Sequence, residues 1–440
     1  MKHTLLPFFL LTGFIHLFNF SYSQAPNPAL VGYFHNWHDA NAPYIQLDQV
    51  DIRYNIIDVA FAIPQVGTDY QMEFIPDQVS QSTFISQIQS VQAQNRKVLI
   101  SIGGATAPIS LDNTMERDSF IVTMGHILDT YNFDGIDIDL EGTSLMVSGG
   151  TISAPTDQAV INLIYAIKQI MTNYRNTHGT RLILTMAPET AFVQGGQSAY
   201  GGIWGAYLPV IDALRDSLEI LHVQLYNSGS MYGIDGNIYS QGNADFIVAM
   251  CEAVIHGFNT SGGMFDGLPA HKVAVGLPAC PVAAGGGYTD TAIVKAAINY
   301  LRGNGPQPGS YTLSNAGGYP DFRGMMTWSI NWDAVATCGN SNEFVNTYQD
   351  IFGGTSGVNV ATNPDDFISV YPNPTTELLH IDAPQQVNLP ITASLYNVMG
   401  ENMYSKQIQS MHETMNLSHV PNGIYYLIID NHSIHRIIKQ

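Results

Sequence analysis

The stretch Asp134-Gly-Ile-Asp137-Ile-Asp139-Leu-Glu141 alternates carboxylates with aliphatic side chains. A strand's period of two puts Asp137, Asp139 and Glu141 on one face, about 6.6 Å apart along the backbone, and Ile136, Ile138 and Leu140 on the other. With Phe133 ahead of it, the aliphatic face reads as buried, so the segment is a covered strand and not a solvated edge. Three carboxylates aimed into a confined space cannot all ionise cheaply, so at least one keeps its proton near neutral pH. Glu141, nearest the C-terminal end, is the candidate proton donor; Asp139 would tune it, and Asp137, deeper down, would hold Asp139. Residues 137–142 also imitate the start of a calcium loop, but the closing acidic position is Ser148 and the alternating Ile and Leu demand a strand.

Seven further apolar or β-branched runs flank this strand: Leu30-Val-Gly-Tyr-Phe34, Ile56-Ile-Asp-Val-Ala-Phe61, Lys97-Val-Leu-Ile-Ser-Ile102, Leu182-Ile-Leu-Thr-Met186, Leu221-His-Val-Gln-Leu-Tyr226, Val273-Ala-Val-Gly-Leu277 and Gly324-Met-Met-Thr-Trp328. Between them lie segments with a helical period, such as Phe84, Ile85, Ile88 and Val91, or Val160, Leu163, Ile164 and Ile167, the second preceded by Thr156 as a capping candidate. Eight strands alternating with helices predict an α/β chain, a (β/α)8 TIM barrel over residues 24–352, with its chemistry at the C-terminal ends of the strands. After Phe352 the helical period stops. We expect a linker over 353–365 and a small all-β sandwich over 366–440, with turns at Pro372-Asn-Pro374, Met399-Gly-Glu401 and Pro421-Asn-Gly423.

The 440 residues are too many for one ordinary domain, and 45% apolar against 12% charged residues excludes disorder. Sixteen basic and 36 acidic residues give a formal charge of −20, which repels nucleic acid and anionic lipid and leaves neutral polymers unaffected. Residues 1–23 read as a signal peptide: basic Lys2 and His3, an apolar run from Leu5 to Phe20, and Ser21-Tyr-Ser23 as the cleavage site. His16 and Asn19 interrupt that run, and no later segment is long enough for a transmembrane anchor. Cys251, Cys280 and Cys338 form neither a disulfide framework nor a zinc knuckle, and allow at most one bridge. His35 and His38 flank Trp37, but without paired ligand spacing they read as loop histidines, so no metal and no other cofactor is expected.

The acidic strand resembles the Asp-x-x-Asp-x-Asp-x-Glu signature of glycoside hydrolase family 18, the chitinases, and Ser101-Ile-Gly-Gly104 resembles that family's Ser-x-Gly-Gly motif one strand earlier. The likeness continues through Met186-Ala-Pro-Glu189, Gln224-Leu-Tyr226-Asn227 and Trp328, covering about residues 30–333. It implies a substrate-assisted retaining hydrolysis in which the acetamido oxygen of the sugar attacks the anomeric carbon while Glu141 protonates the leaving oxygen. It further implies that Asp139 orients the acetamide N–H, that the Tyr226 hydroxyl donates to the acetamide oxygen, and that Trp328 forms an apolar floor. Tyr33, Phe61, Met186, Gln224 and Asn227 are strand-end candidates for lining a sugar cleft, and Gly103 and Gly104 for the tight turn beside it. Asn227 stands where many members carry Asp, which puts a proton-sharing role there in doubt.

Only some forty residues separate Cys280 from Gly324, and Thr289 to Arg302 within them reads as a helix. This leaves no room for the small extra domain of tunnel-forming relatives and implies an open groove that cuts chains internally. Residues 366–440 resemble the C-terminal sorting domain of type IX secretion, through Ser369-Val-Tyr-Pro-Asn-Pro374, Leu395-Tyr-Asn-Val-Met-Gly400, Asn422-Gly-Ile-Tyr-Tyr426 and Arg436-Ile-Ile-Lys439. The implied partners are chitin or another N-acetylglucosamine glycan and the type IX machinery, and the implied place is outside the cell or on its surface. An endoglycosidase acting on N-glycans and a non-hydrolytic sugar-binding barrel remain open as alternatives, as does a carbohydrate-binding role for the C-terminal sandwich.

Overall fold

The computed structural model describes residues 25–335, 339–353, 369–383, 389–397, 401–429 and 433–440. The expected signal peptide, nearly all of the expected linker and Cys338 lie outside them. The chain divides into two compact units, Met1–Phe352 and Gly353–Gln440.

In the first unit eight parallel strands close on themselves: β1 (Ala29–His35), β2 (Ile56–Pro64), β3 (Lys97–Gly103), β4 (Gly135–Asp139), β5 (Ile183–Met186), β6 (Ile220–Gln224), β7 (Val273–Pro278) and β8 (Gly324–Trp328). Each pairs with its sequence neighbour, and β8 pairs back onto β1. All eight stand where the sequence placed them. The parity of side chains divides the core in two: Leu30, Phe34, Ile136 and Ile138 join the large cluster under the helices, whereas Ala29, Val31, Tyr33, Leu99, Ile183 and Ile220 fill the barrel interior. A barrel strand is covered on both faces, which is why these runs are apolar throughout and why each polar residue within them needs a partner.

Helices Gln81–Ala93, Gln158–His178 and Thr291–Leu301 occupy the helical-period segments. The expected cap Thr156 is corrected by one position: the N-cap of the second helix is Asp157, which makes no capping bond because its carboxylate accepts from the backbone and hydroxyl of Ser148. Cys251 is a buried free thiol and Cys280 is disulfide-bonded. Among the described residues no helix is long and apolar enough to cross a membrane.

The second unit holds a three-stranded antiparallel sheet, Ser369–Tyr371, Leu378–Asp382 and His412–Asn416, and a four-stranded one ordered Asn402–Ile408, Ile391–Asn397, Gly423–Ile429 and Ser433–Lys439. Strict alternation along Gly423–Ile429 buries Tyr425, Leu427 and Ile429 with Leu379, Ile381, Leu395 and Met415 in a separate apolar core.

Candidate active site

The acidic strand builds the site from the closed interior outward. Asp137 is fully buried and accepts three hydroxyl hydrogen bonds: from Tyr33 at 2.5 Å, from Ser101 at 2.7 Å and from Thr185 at 2.7 Å. The donors come from β1, β3 and β5, all at inward-facing positions, and together they fix the carboxyl in place. Two strands further contribute groups that the sequence reading passed over. Nε2 of His222, on β6, lies 3.5 Å from Asp137 and 3.7 Å from Asp58, on β2, and all three side chains are wholly enclosed. Among the described residues, neither oxygen of Asp58 and neither nitrogen of His222 has a hydrogen-bond partner. Burial, and then the charge of Asp137, raise the Asp58 carboxyl well above the usual range, while burial lowers His222 against the pull of Asp137. Both are therefore held neutral, Asp58 with its proton on. These three residues also have ligand atoms within 4.8 Å of one another, and are the His and acidic group among the described residues that could hold a metal ion.

Both missed residues carried a sequence signal. Asp58 is the single polar position inside its apolar run, and His222 shares its run with Gln224; both lie in strands covered on both faces, at the parity of Ile56 and Ile220, which points them inward with the acidic ladder.

Above Asp137 the chemistry changes. Asp139 is buried, and its carboxyl is raised well above the ordinary range by burial, then by Glu141 and Asp137; Glu141 is raised chiefly by burial, with hydrogen bonds from Gln224 and Asp139 pulling it back. One amide serves both: Nε2 of Gln224 donates to Asp139 at 2.8 Å, to Glu141 at 3.0 Å and to the carbonyl of Ala187 at 3.0 Å. Two carboxyls that share one donor and crowd each other hold a proton between them. Tyr207 clamps the strand end, its hydroxyl accepting from the Leu140 N–H at 2.7 Å. Glu189 follows β5, its backbone bridging to Gln224, and its carboxyl is raised by burial and by Glu141.

Asp139, Glu141, Gln224, Tyr226, Asn227, Phe61 and Trp328 line one cleft of about 590 Å³, together with Asn36, Trp37, Ile63, Glu73 and Ile75. Its floor is aromatic: Phe61 stacks on Trp328 with centroids 5.9 Å apart and on Trp37 at 6.3 Å, and His35 stacks on Trp37 at 4.5 Å. His35 is therefore a buried part of that floor, neutral because burial lowers it to about 4, and not the expected loop histidine. Tyr226 keeps its hydroxyl proton firmly, through burial and then the carboxyls of Asp139 and Glu141.

Three candidates for the cleft are placed behind it. Tyr33 is buried and turned to Asp137, because its inward parity lies one layer below the mouth. Met186 is fully buried in the cluster under the helices, since it shares the outward parity of Leu184. Gly104 underlies Phe61: a Cβ there would meet that ring at 2.8 Å, and its φ of 79° is one that L side chains rarely adopt. Asn227 takes a left-handed φ of 54° at the rim.

The model of the family described as Glycosyl hydrolases family 18 matches residues 29–333, and that of the Secretion system C-terminal sorting domain matches residues 369–440. Chitinase D of Niallia circulans is 44% identical over 344 residues, 76% of this chain and 64% of that protein. Chitinase Chi52 of Paenibacillus xylanexedens is 43% identical over 343 residues, with the same two shares. Chitinase ChiA of Flavobacterium johnsoniae is 33% identical over 413 residues, covering 89% of this chain and 26% of its own length. The chain thus spans less than two thirds of these relatives. A family GH18 chitinase from Chromobacterium violaceum superposes with a TM-score of 0.66 at 35% identity, over 75% of this chain and 85% of that one.

Proposed function

The chain belongs to glycosyl hydrolase family 18, and from that premise we propose that it is a chitinase, hydrolysing β-1,4 linkages between N-acetylglucosamine units by substrate-assisted retaining catalysis. One observation carries the reading: two proton-sharing carboxyls, Asp139 and Glu141, open onto a cleft floored by Trp328 and Phe61. Glu141 is the partly exposed end of the ladder and gives its proton to the leaving oxygen. Asp139 orients the acetamide N–H of the sugar on Trp328, and the firmly held proton of Tyr226 is donated to the acetamide oxygen, which attacks the anomeric carbon. The nucleophile is then the substrate's own, so no second carboxylate has to reach the sugar. Asp137, anchored by three hydroxyls, fixes the height of the ladder. Residues 1–23 direct export, residues 366–440 act as the sorting domain for type IX secretion, and the barrel works outside the cell or at its surface as an endo-acting enzyme on an open groove.

Product analysis on chitin hexamer tests this. Wild type gives shorter oligomers and Glu141→Gln gives at most traces of them while still binding. Normal cleavage by the variant, or release of N-glycan from a high-mannose glycoprotein with no cleavage of the hexamer, overturns it.

A further inference from the structure

The strand β2 runs past the barrel rim and folds back as a hairpin, pairing Ile63 with Glu73 and Pro64 with Met72. Its inner face is used for folding: Ala62, Met72 and Phe74 are buried in the core. Its outer face would be polar if it met only water. Instead Ile63 is 43% and Ile75 is 68% exposed, and Val66, at the apex, is 101% exposed. The apex is a turn closed by the Thr68 N–H donating to the Gln65 carbonyl at 3.0 Å, with Gly67 at a φ of 91°. That geometry holds Val66 outward, with its side chain buried by none of the described residues.

The hairpin is fixed in this pose. Asn36, at the end of β1, donates to the Ile75 carbonyl at 2.9 Å and accepts from the Asp77 N–H at 3.2 Å, and the Thr123 hydroxyl accepts from the Met72 N–H at 3.0 Å. It is also continuous with the cleft, because Ile63, Glu73 and Ile75 line the same cavity as Glu141 and Trp37. Ile63 and Ile75 thus belong both to the cleft wall and to the hairpin, whose apex residue Val66 lies outside the cavity.

We propose that this hairpin is a contact surface for insoluble chitin, meeting chains next to the one held in the cleft. The inference rests on the proposed chitinase activity and goes beyond it. A packed array of β-1,4-linked N-acetylglucosamine presents C–H faces and acetamido methyl groups, which apolar aliphatic side chains desolvate without needing charge. The hairpin offers that chemistry, and its one cleft-lining charge is the carboxylate of Glu73, which suits a neutral surface better than an anionic one. A soluble oligomer confined to the cleft does not reach Val66.

The test compares full-length wild type, Val66→Asp and a control, Ile52→Asp, which alters a side chain 67% exposed ahead of the opposite, N-terminal end of β2. Adsorption to and solubilisation of crystalline chitin are measured beside kcat/KM on chitin hexamer. Val66→Asp lowers adsorption and crystalline turnover about three- to tenfold, as expected from losing one buried valine contact, with hexamer kcat/KM unchanged; Ile52→Asp changes neither. Unaltered adsorption by Val66→Asp, an equal loss on hexamer, or loss of a dimer in place of adsorption overturns the proposal. If wild type cleaves neither substrate, the chitinase reading fails first; cleavage of hexamer with Val66 indifferent sinks the hairpin alone.

Discussion

The two levels of one acidic ladder, Asp137 below and the pair Asp139 and Glu141 above, treat the same functional group in opposite ways. Asp137 receives three hydroxyl donors from three different strands, with the neutral pair Asp58 and His222 beside it. Asp139 and Glu141 share a single amide and press on each other. A carboxyl with ample donors is held in place, and a pair with too few is a proton store. The lower end therefore belongs to architecture and the upper end to chemistry, and the boundary is set by how many neighbouring strands carry a donor at the same height.

The comparison breaks most sharply at Glu141. Glu141→Gln is expected to lower kcat by about 10² to 10⁴-fold, the range for losing a general acid, with the melting temperature unchanged; a variant that keeps turnover would erase the distinction. Asp137→Ala should fail the other way. It strands three buried hydroxyls, so chemical denaturation should report a loss on the order of 3 kcal/mol, against about 1 kcal/mol or less for Asp139→Ala, whose protonated carboxyl has one amide donor. Equal losses would mean that the two ends do not differ. A smaller effect belongs to Gln224→Met. The amide stabilises the ionised forms of Asp139 and Glu141, so removing it makes both hold protons more tightly, and the alkaline limb of the kcat/KM profile moves to higher pH. Movement to lower pH would reverse the assigned cause.

Asp58→Asn should alter turnover least, because Asn keeps the shape and neutrality of the protonated acid. Its signature is thermodynamic. The folded proton affinity of Asp58 is raised, so its contribution to stability is full below the ordinary carboxylate range and is lost as pH rises toward the folded value. Asn has no such loss, so the variant gains stability relative to wild type as pH rises from about 4. Parallel melting curves across that range would show Asp58 ionised in the fold.

Much of this was legible in the chain. Alternation from Asp134 to Glu141 fixed a covered strand with three inward acids, and the other seven runs, each about a strand long and separated by helical periods, left a closed barrel as the natural solution. Cleft membership was less legible. Gln224 and Trp328 end strands on the inward parity and do line the cleft, whereas Met186 also ends a strand but on the outward parity, a difference of one residue that decides between core and cavity; Phe61, in mid-strand at the parity of Ile57 and Val59, reaches the cleft because the register of β2 shifts between Val59 and Ala62. Tyr33 has the right parity at the wrong height.

By itself, then, the sequence determined periodicities: which residues share a face, where strands stop, and that a crowded acidic face must retain a proton. Only the tertiary structure decided register between strands. Whether Asp137 meets Tyr33, Ser101 and Thr185, and whether one Gln224 amide spans Asp139 and Glu141, depends on how the barrel staggers its strands. Donors more than thirty residues away along the chain leave no local trace of the height at which they will arrive.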